Sequence, residues 1–187
     1  MNPLQLVVPA RPFLESYRDA LLRGWSPNNL RPQTAVEELA LIAADADSFL
    51  HSLDDRDPVG QTVTLPDGSR VPKLPGFRRW MWDGGFCGSI GLRWQAGTAE
   101  LPAYCLGHIG YAVVPWKQRC GYATRALALL LDEARTLSLP YVELTTEPDN
   151  TGSLKVIEAQ GGELVEGFDA PAQYEAGQML RYRITLG

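Results

Sequence analysis

Cysteine and histidine are scarce in this 187-residue sequence, and their spacing excludes two kinds of site. The three cysteines, Cys87, Cys105 and Cys120, stand far apart without a CxxC pair, which argues against a disulfide framework and predicts reduced thiols. The two histidines, His51 and His108, do not stand at metal-ligand spacings from each other or from a cysteine. The sequence therefore predicts no structural zinc site and no metal cofactor.

An excess of positive charge is also lacking. The 17 Lys and Arg residues are outnumbered by 22 Asp and Glu residues, which gives a formal net charge of −5. Proteins that bind nucleic acid or anionic membranes through electrostatic attraction carry the opposite balance. We therefore expect neither nucleic acid nor a membrane as a partner.

Long apolar segments are absent as well. Apolar runs such as 126–131 are far shorter than the roughly 20 residues that span a bilayer. No apolar stretch of signal-peptide length precedes Pro9, Arg11 and Pro12, so we expect a cytoplasmic protein. With 45% hydrophobic and 21% charged residues the composition is typical of a folded protein, and we expect a single domain over residues 1–187.

The order of strand-like and helix-like periods predicts a mixed α/β sheet. The order is a strand, two helices, three strands, a helix, a strand, a helix and two strands. Between the second helix and the next strand, residues 54–76 suit either a long excursion or a two-strand hairpin around Pro66-Asp67-Gly68. The expected elements, in the same order, cover residues 6–8, 12–24, 34–50, 77–82, 87–94, 104–113, 121–139, 141–146, 149–161, 163–168 and 178–186.

Two of the predicted helices carry specific expectations. In the second helix, Thr34 and Glu37 form a capping box, and Val36 begins the buried stripe. The helix after Gly121 shows the clearest apolar stripe of the chain and connects two strands that should be parallel neighbours with a right-handed crossover.

The most informative segment is 108–124, where a strand leads through a tight turn directly into a helix. Such a turn aims unpaired backbone N–H groups and the positive end of the helix at one point, which suits a phosphate group. Gly121 permits close approach of a ligand, and Lys117, Arg119 and Arg125 offer positive charge. The GxGxxG and GxxxxGK[ST] phosphate motifs are both missing, so another kind of phosphate site is indicated.

This segment resembles the GNAT superfamily of acyl-CoA N-acyltransferases. The family motif [QR]-x-x-G-x-[GA] stands here as Gln118-Arg-Cys-Gly121-Tyr-Ala123, with Val114-Pro115 before it. A second family feature, an Asn that opens the next helix, is matched by Asn150. The resemblance covers residues 77–165 well, and in detail it is similar to a bacterial branch of predicted acetyltransferases.

The resemblance implies a mixed, mainly antiparallel twisted sheet of about six or seven strands with about four helices, in which a splayed parallel strand pair holds acetyl-CoA. It assigns the acceptor side to residues 1–76, CoA binding to 77–165 and the last strands to 163–187, and it allows a homodimer. The residues that it implies for CoA binding are Ala112, Val113, Val114, Gln118, Arg119, Cys120, Gly121, Tyr122, Ala123, Thr124, Asn150 and Ser153.

The resemblance also implies a reaction without a covalent enzyme intermediate. A neutral amine attacks the thioester directly, and the Val113 amide stabilises the developing oxyanion. Many members carry an acidic Tyr seven residues after the Asn, where this chain has Ile157, so Ser153 is the substitute that we expect. For the base we consider His108 first, with Glu143 and Glu147 as alternatives.

The acceptor and two competing functions stay open at this point. The loops 24–33 and 167–177 would enclose a small-molecule amine or a peptide amine, and Asp169 and Glu175 favour a cationic acceptor. A non-catalytic module that binds acyl-CoA as a sensor or partner domain is an alternative, since Ile157 departs from the family pattern. A cysteine hydrolase that pairs Cys87 or Cys105 with a histidine is a weaker one, because no nucleophile elbow is present.

Overall fold

The computed structural model describes residues 3–174 and 177–187. The strands are β1 Gln5–Val7, β2 Asp54–Asp55, β3 Thr62–Thr64, β4 Arg70–Pro72, β5 Gly76–Trp82, β6 Phe86–Arg93, β7 Ile109–Val113, β8 Tyr141–Thr146, β9 Glu163–Asp169 and β10 Gln178–Thr185. The α-helices are α1 Arg11–Leu22, α2 Thr34–Ala44, α3 Ala46–Ser52, α4 Tyr122–Arg135 and α5 Thr151–Glu158, and a 3-10 turn covers Pro115–Lys117.

The strands form antiparallel sheets, as expected for a mixed α/β fold. The larger sheet has the order β1-β5-β6-β7, with β2 also paired to β5, and a three-stranded sheet has the order β8-β10-β9. Strands β3 and β4 form a separate hairpin around the Pro66-Asp67-Gly68 turn, as predicted. The described residues hold more strands than the six or seven expected, because β2 and the hairpin are additional short strands.

Strands β7 and β8 lie at neighbouring edges of the two larger sheets. The predicted strand over 104–113 begins only at Ile109, and the backbone N–H of His108 just before it donates to the carbonyl of Glu143 at 2.7 Å. Beyond this bond the two strands belong to different sheets, so the predicted parallel neighbours do not form a hydrogen-bonded ladder. The result is a gap between β7 and β8, with α4 as the connection across it.

The second predicted helix is divided in two. Asp45 adopts an extended backbone conformation between α2 and α3, and its carboxylate accepts from the N–H groups of Asp47 and Ser48. The expected capping box is wrong, because the N-cap of α2 is Gln33 and no side chain caps it. Thr34 is the first helical residue, and its buried hydroxyl has no partner among the described residues.

The buried stripe of α2 also differs from the prediction. Val36 is 69% exposed, whereas Ala35, Glu38 and Ile42 are buried. Glu38 can occupy the interior because the Arg78 guanidinium donates to its carboxylate at 2.9 Å and the Tyr17 hydroxyl bonds to it as well. Hydrophobic periodicity cannot detect a buried face that is built around a charge pair.

Two apolar clusters hold the large sheet between helices. Helix α4 packs against β1, β6 and β7. The apolar stripe predicted for this helix had seven residues, of which five are buried, Ala126, Leu127, Leu130, Leu131 and Ala134, while Ala123 and Leu137 are half-buried. The other cluster joins α1, α2 and α3 to the sheet through Tyr17, Trp25, Trp80 and Phe86. Within residues 3–174 and 177–187, none of the helices has the length and apolar character that a membrane span requires.

Candidate functional site

A cleft of about 520 Å³ lies beside the gap between the two larger sheets. Strands β5, β6 and β7 contribute one side, and β8 with α5 contributes the other. The loop after α1 and the β3–β4 hairpin also line the cleft through residues 27–31 and 63–66. Loops from two parts of the chain therefore meet the free strand edges, which is a common setting for a binding site.

The backbone of β7 determines which amides face the gap. Val114 N–H donates to the Cys87 carbonyl at 3.0 Å, and Ala112 pairs with Ser89, so these two residues direct their amides toward β6. Because peptide groups alternate along a strand, the amides of Tyr111 and Val113 point to the free edge. Of the three residues proposed to pair with a ligand through their backbone, Val113 is therefore the one whose amide is available.

The turn that precedes α4 presents a row of unpaired amides. Gly121 is the N-cap in a left-handed conformation with φ +74°, and Arg119 also has a positive φ of 61°. Within the described parts of the chain, the N–H groups of residues 119–124 have no protein acceptor. A Cβ at Gly121 would meet no atom within 4 Å, so glycine serves the backbone conformation and leaves the turn open. Such a concave set of amides at a helix N-terminus fits a phosphate.

The cations near this turn have different roles. Lys117 is bound to Asp83 at 2.6 Å and Arg125 donates to the Leu4 carbonyl at 3.1 Å, so both are used within the protein. Arg119 is exposed, with no partner among the described residues, and is the cation that the turn leaves for a ligand. The other residues predicted here lie along the same turn, with Gln118 and Cys120 exposed and Tyr122, Ala123 and Thr124 half-buried.

Asp83 fixes the start of α4 to the β5–β6 turn. It accepts from Lys117 and from the Tyr122 hydroxyl, both at 2.6 Å. Burial alone would raise the pKa of Asp83, but the bonds from these two partners outweigh it and lower the pKa to about 2. The same contact raises the pKa of Tyr122 to about 12. The amide row is therefore held by an ionic contact that sequence inspection did not identify.

The side chains of Tyr111 and Ser153 meet across the gap. Ser153 was expected from the sequence, whereas Tyr111 was not identified as a site residue. Their hydroxyl oxygens are 2.8 Å apart, and both residues line the cleft. Burial raises the pKa of Tyr111, so the phenol stays protonated. Asn150 begins α5 as predicted, since its Oδ1 accepts from the Ser153 N–H at 3.1 Å. Ile157 is buried and forms an apolar part of the cleft wall.

The structure does not bring His108 or Glu143 into the cleft. The His108 ring is buried, its Nδ1 accepts from the Glu143 N–H at 3.0 Å, and burial lowers its pKa to about 4. The Glu143 carboxylate is held by Arg181 at 3.0 Å and by Arg183 at 2.7 Å. Although burial opposes it, these bonds lower the pKa of Glu143, so both groups serve the join between the sheets.

No cysteine is arranged as a nucleophile in the described residues. Cys87 is buried, and burial raises its pKa to about 12. Cys105 is also buried, and Cys120 is exposed; all three are free thiols. Neither Cys87 nor Cys105 bonds to His108, since their thiols donate to the carbonyls of Gly85 and Gly107. The hydrolase alternative therefore has no catalytic pair to support it.

The charged groups that line the cleft are mostly cations: Arg31, Lys73, Arg78 and Arg93. Among the described lining residues, Glu147 is the only carboxylate. Asp169 is not in the lining and accepts from Gln178, and Glu175 lies outside the described residues. Nor do the described residues contain a group of three or more His, Cys, Asp or Glu side chains suited to a metal ion.

Comparison with solved structures shows a shared fold. The microcin C7 self-immunity acetyltransferase MccE, in complex with acetyl-CoA and AMP, has a TM-score of 0.64 at 12% identity, over 99% of this chain and 93% of that one. RimJ of Mycobacterium smegmatis, in complex with CoA-disulfide, has 0.61 at 18% identity over 98% and 86%. A chimera of the spermidine N-acetyltransferase SpeG from Vibrio cholerae and hSSAT has 0.62 at 15% over 98% and 95%.

Among curated proteins, none matches this chain significantly by sequence. The model of the acetyltransferase (GNAT) domain matches residues 17–163, which include the amide turn, the gap between β7 and β8, and the cap of α5. The splayed strands and the motif after β7 both lie within the matched residues, and the chain belongs to the GNAT acetyltransferase family.

Proposed function

We propose that this protein is an N-acetyltransferase that transfers an acetyl group from acetyl-CoA to a primary amine. The observation that carries the proposal is the row of unpaired amides at 119–124, which begins directly after the free edge of β7. The turn offers donors for a pyrophosphate, and the gap beside Val113 offers room for an extended thiol arm. Solved GNAT structures of the same fold that contain acetyl-CoA or CoA-disulfide support this assignment.

The residues around the gap have distinct proposed roles. Residues 119–124 bind the pyrophosphate, and the Asn150 side chain contacts the thiol arm from α5. The Val113 amide donates to the thioester oxygen as negative charge develops there. Ser153 and Tyr111, whose hydroxyls lie 2.8 Å apart, supply a proton to the leaving thiolate.

The proposed transfer balances without a covalent enzyme intermediate. The amine nitrogen forms a bond to the acetyl carbon, and the carbon–sulfur bond breaks. Glu147, the carboxylate in the cleft lining, attracts the acceptor ammonium and accepts the proton that leaves it. The hydroxyl pair gives one proton to the leaving sulfur, and the second proton that leaves the nitrogen as the amide forms returns the pair to its starting state. His108 and Glu143 hold the strands and take no part in this transfer.

Ile157 favours a second candidate function. It fills the position where the family motif carries an acidic Tyr, and its side chain is buried and apolar. A module that binds acyl-CoA without turnover, as a sensor or partner domain, would need no proton donor there. Acetylation of any amine, with release of free CoA thiol, would rule this alternative out.

Thermal unfolding with and without acetyl-CoA tests the proposal. At about 100 times Kd, binding adds roughly 2.7 kcal/mol to the free energy of unfolding, which raises Tm by several degrees. Gly121→Asp should abolish the shift, because its carboxylate would face the pyrophosphate. Gly97→Asp is the matched control, since Gly97 is also exposed, has φ +79° and likewise has no atom within 4 Å of an added Cβ.

The outcomes separate the candidate functions. A shift that Gly97→Asp keeps and Gly121→Asp loses would support the CoA site, and thiol release in an amine screen would support the transferase. A shift without thiol release for any amine would favour the binding module. No shift in the unsubstituted protein would refute both.

A further inference from the structure

Arg93 is the one cation of the described cleft lining without a protein partner. Each of the other three forms an ion pair, Arg31 with Glu37 at 2.6 Å, Lys73 with Asp55 at 2.8 Å and Arg78 with Glu38 at 2.9 Å. Within residues 3–174 and 177–187, the Arg93 guanidinium has no hydrogen bond, ion pair or aromatic partner. Five N–H donors are therefore available at the wall of the cleft.

Glycines on two neighbouring strands make room for this guanidinium. Arg93 is the last residue of β6, and two residues before it Gly91 pairs with Gly110 of β7. A Cβ added at Gly110 would lie 3.0 Å from Nη2 of Arg93. The guanidinium therefore lies against bare backbone at this point, where a side chain on Gly110 would displace it.

Arg78 lines the same cleft from β5, where it pairs with Gly91. Its Nη1 donates to both oxygens of Glu38 and to the Tyr17 hydroxyl, at 2.9, 3.3 and 3.2 Å. Its Nε and Nη2 have no acceptor among the described residues. Buried partners thus fix the position of Arg78, while part of its donor set stays available to the cleft.

We propose that the acceptor amine carries an anionic group, a carboxylate or a phosphate, and that Arg93 binds this group with Arg78 beside it. This inference rests on the proposed acetyltransferase function and specifies its acceptor. Guanidinium groups bind such anions through paired N–H donors, and Lys cannot reproduce that geometry. The inference differs from the cationic acceptor that we expected from Asp169 and Glu175: Asp169 is not among the lining residues, and Glu175 lies outside the described residues.

The test compares compounds that differ in the anionic group. The acceptors are phenylalanine against phenethylamine and phosphoethanolamine against ethanolamine, each measured by thiol release at saturating acetyl-CoA. We expect at least one compound that carries the anionic group to have a kcat/KM tenfold or more above its partner without that group. Comparison of the phenylalanine pair with the phosphoethanolamine pair identifies whether a carboxylate or a phosphate is preferred. Calorimetric binding of the corresponding N-acetyl products to the CoA-loaded protein gives a readout that does not need turnover.

Variants assign the preference to the arginine. Arg93→Ala should remove the difference within each pair, Arg93→Lys should restore only part of it, and Arg93→Glu should favour the members without the anionic group. Arg18→Ala is the control, because Arg18 is half-buried on α1, pairs with Glu15 and does not line the cleft. In each variant an unchanged Tm shift with acetyl-CoA shows that the fold and the CoA site are intact.

Equal kcat/KM or equal affinity within each pair overturns the inference, as does a preference that Arg93→Ala leaves unchanged. Failure of every anionic compound to react or bind also overturns it. In these cases a retained acetyl-CoA shift, with acetylation of amines that lack an anionic group, leaves the proposed function standing. Loss of the acetyl-CoA shift in the unsubstituted protein is the separate result that would refute the proposed function.

Discussion

The His108 ring lies where the two larger sheets join, and its pKa of about 4 is set by burial. Unfolding returns the pKa to its ordinary value of 6.5, so folding favours the neutral ring. The resulting stability is present above pH 6.5 and is lost as pH falls from about 6.5 to about 4. In the structure, the His108 side chain accepts a hydrogen bond from the Glu143 N–H at its Nδ1.

We therefore expect His108→Asn to keep acetyl transfer, since the Asn carbonyl can accept the same bond. Its unfolding free energy should vary less with pH between 4 and 6.5 than that of the unsubstituted protein, measured by urea titration at several pH values. A variant that folds but loses kcat, together with the ionisation near pH 4 that His108 would give in the pH–rate profile, would show that His108 is the base.

Tyr111 and Ser153 should act as one proton-donating pair. Tyr111→Phe or Ser153→Ala should each reduce kcat by about 10- to 100-fold with little change in the acetyl-CoA shift, because general acid catalysis contributes about 100-fold or more. The double variant should lose little beyond the larger single loss, as coupled residues do. Tyr141→Phe, outside the cleft lining, is the control. An unchanged kcat in both single variants would contradict the pair.

The site residues that sequence could predict are those defined by local geometry. Asn150 and Gly121 stand at helix starts, where cap and turn preferences act within a few residues of chain. Tyr111 and Arg93 could not be predicted, because their roles depend on partners 42 and 17 residues away, Ser153 and Gly110. Such contacts follow from strand register, which no local pattern specifies.

At the scale of elements, the contact of Asp83 with Lys117 and Tyr122 fastens α4 to the β5–β6 turn. The pKa of Asp83 is about 2 in the folded protein against an ordinary value of 3.8. This contact therefore stabilises the fold above pH 3.8, and the stabilisation is lost as pH falls toward 2.

We expect Asp83→Asn to lower the unfolding free energy at pH 7, with a difference from the unsubstituted protein that narrows as pH falls from about 4 to about 2. The variant should also weaken the acetyl-CoA shift, since the amide row starts from the same contact. Urea unfolding across this pH range measures the first effect. A difference that stays constant with pH would show that the Asp83 charge contributes nothing.

Helices predicted from hydrophobic periodicity differ in how well they match the structure. The buried face of α4 consists of alanines and leucines, and it matches the prediction. The helix expected over 34–50 fails at Asp45, because a polar cap there ends one helix and begins the next without a glycine or proline. Its buried face also contains Glu38, whose partners Arg78 and Tyr17 come from other elements.

At the scale of the whole molecule, the ligand site is divided between two sheets that share few backbone bonds. We expect acetyl-CoA to slow amide hydrogen exchange at residues 119–124 and along the free edge of β7. The β3–β4 hairpin, which forms its own sheet, should change little and serves as the internal control. Mass spectrometry of exchanged peptides measures both. If acetyl-CoA slowed amide exchange equally in the hairpin and in the 119–124 turn, the ligand would stabilise the whole protein, and the result would not support a local site.

The separate hairpin has a consequence for how this protein can diversify. Strands β3 and β4 pair with each other and with no other described strand, and residues 63–66 line the cleft. Leu65 of the hairpin is buried, and its hydrogen bonds to the rest of the protein include the Asp67 N–H to the Gln173 carbonyl and the Tyr104 hydroxyl to the Pro72 carbonyl. Mutations at the exposed positions 62–64 can accumulate at little cost to folding. The proposed acceptor side of the cleft can therefore change in sequence without altering the turn at 119–124 that we propose as the acetyl-CoA site.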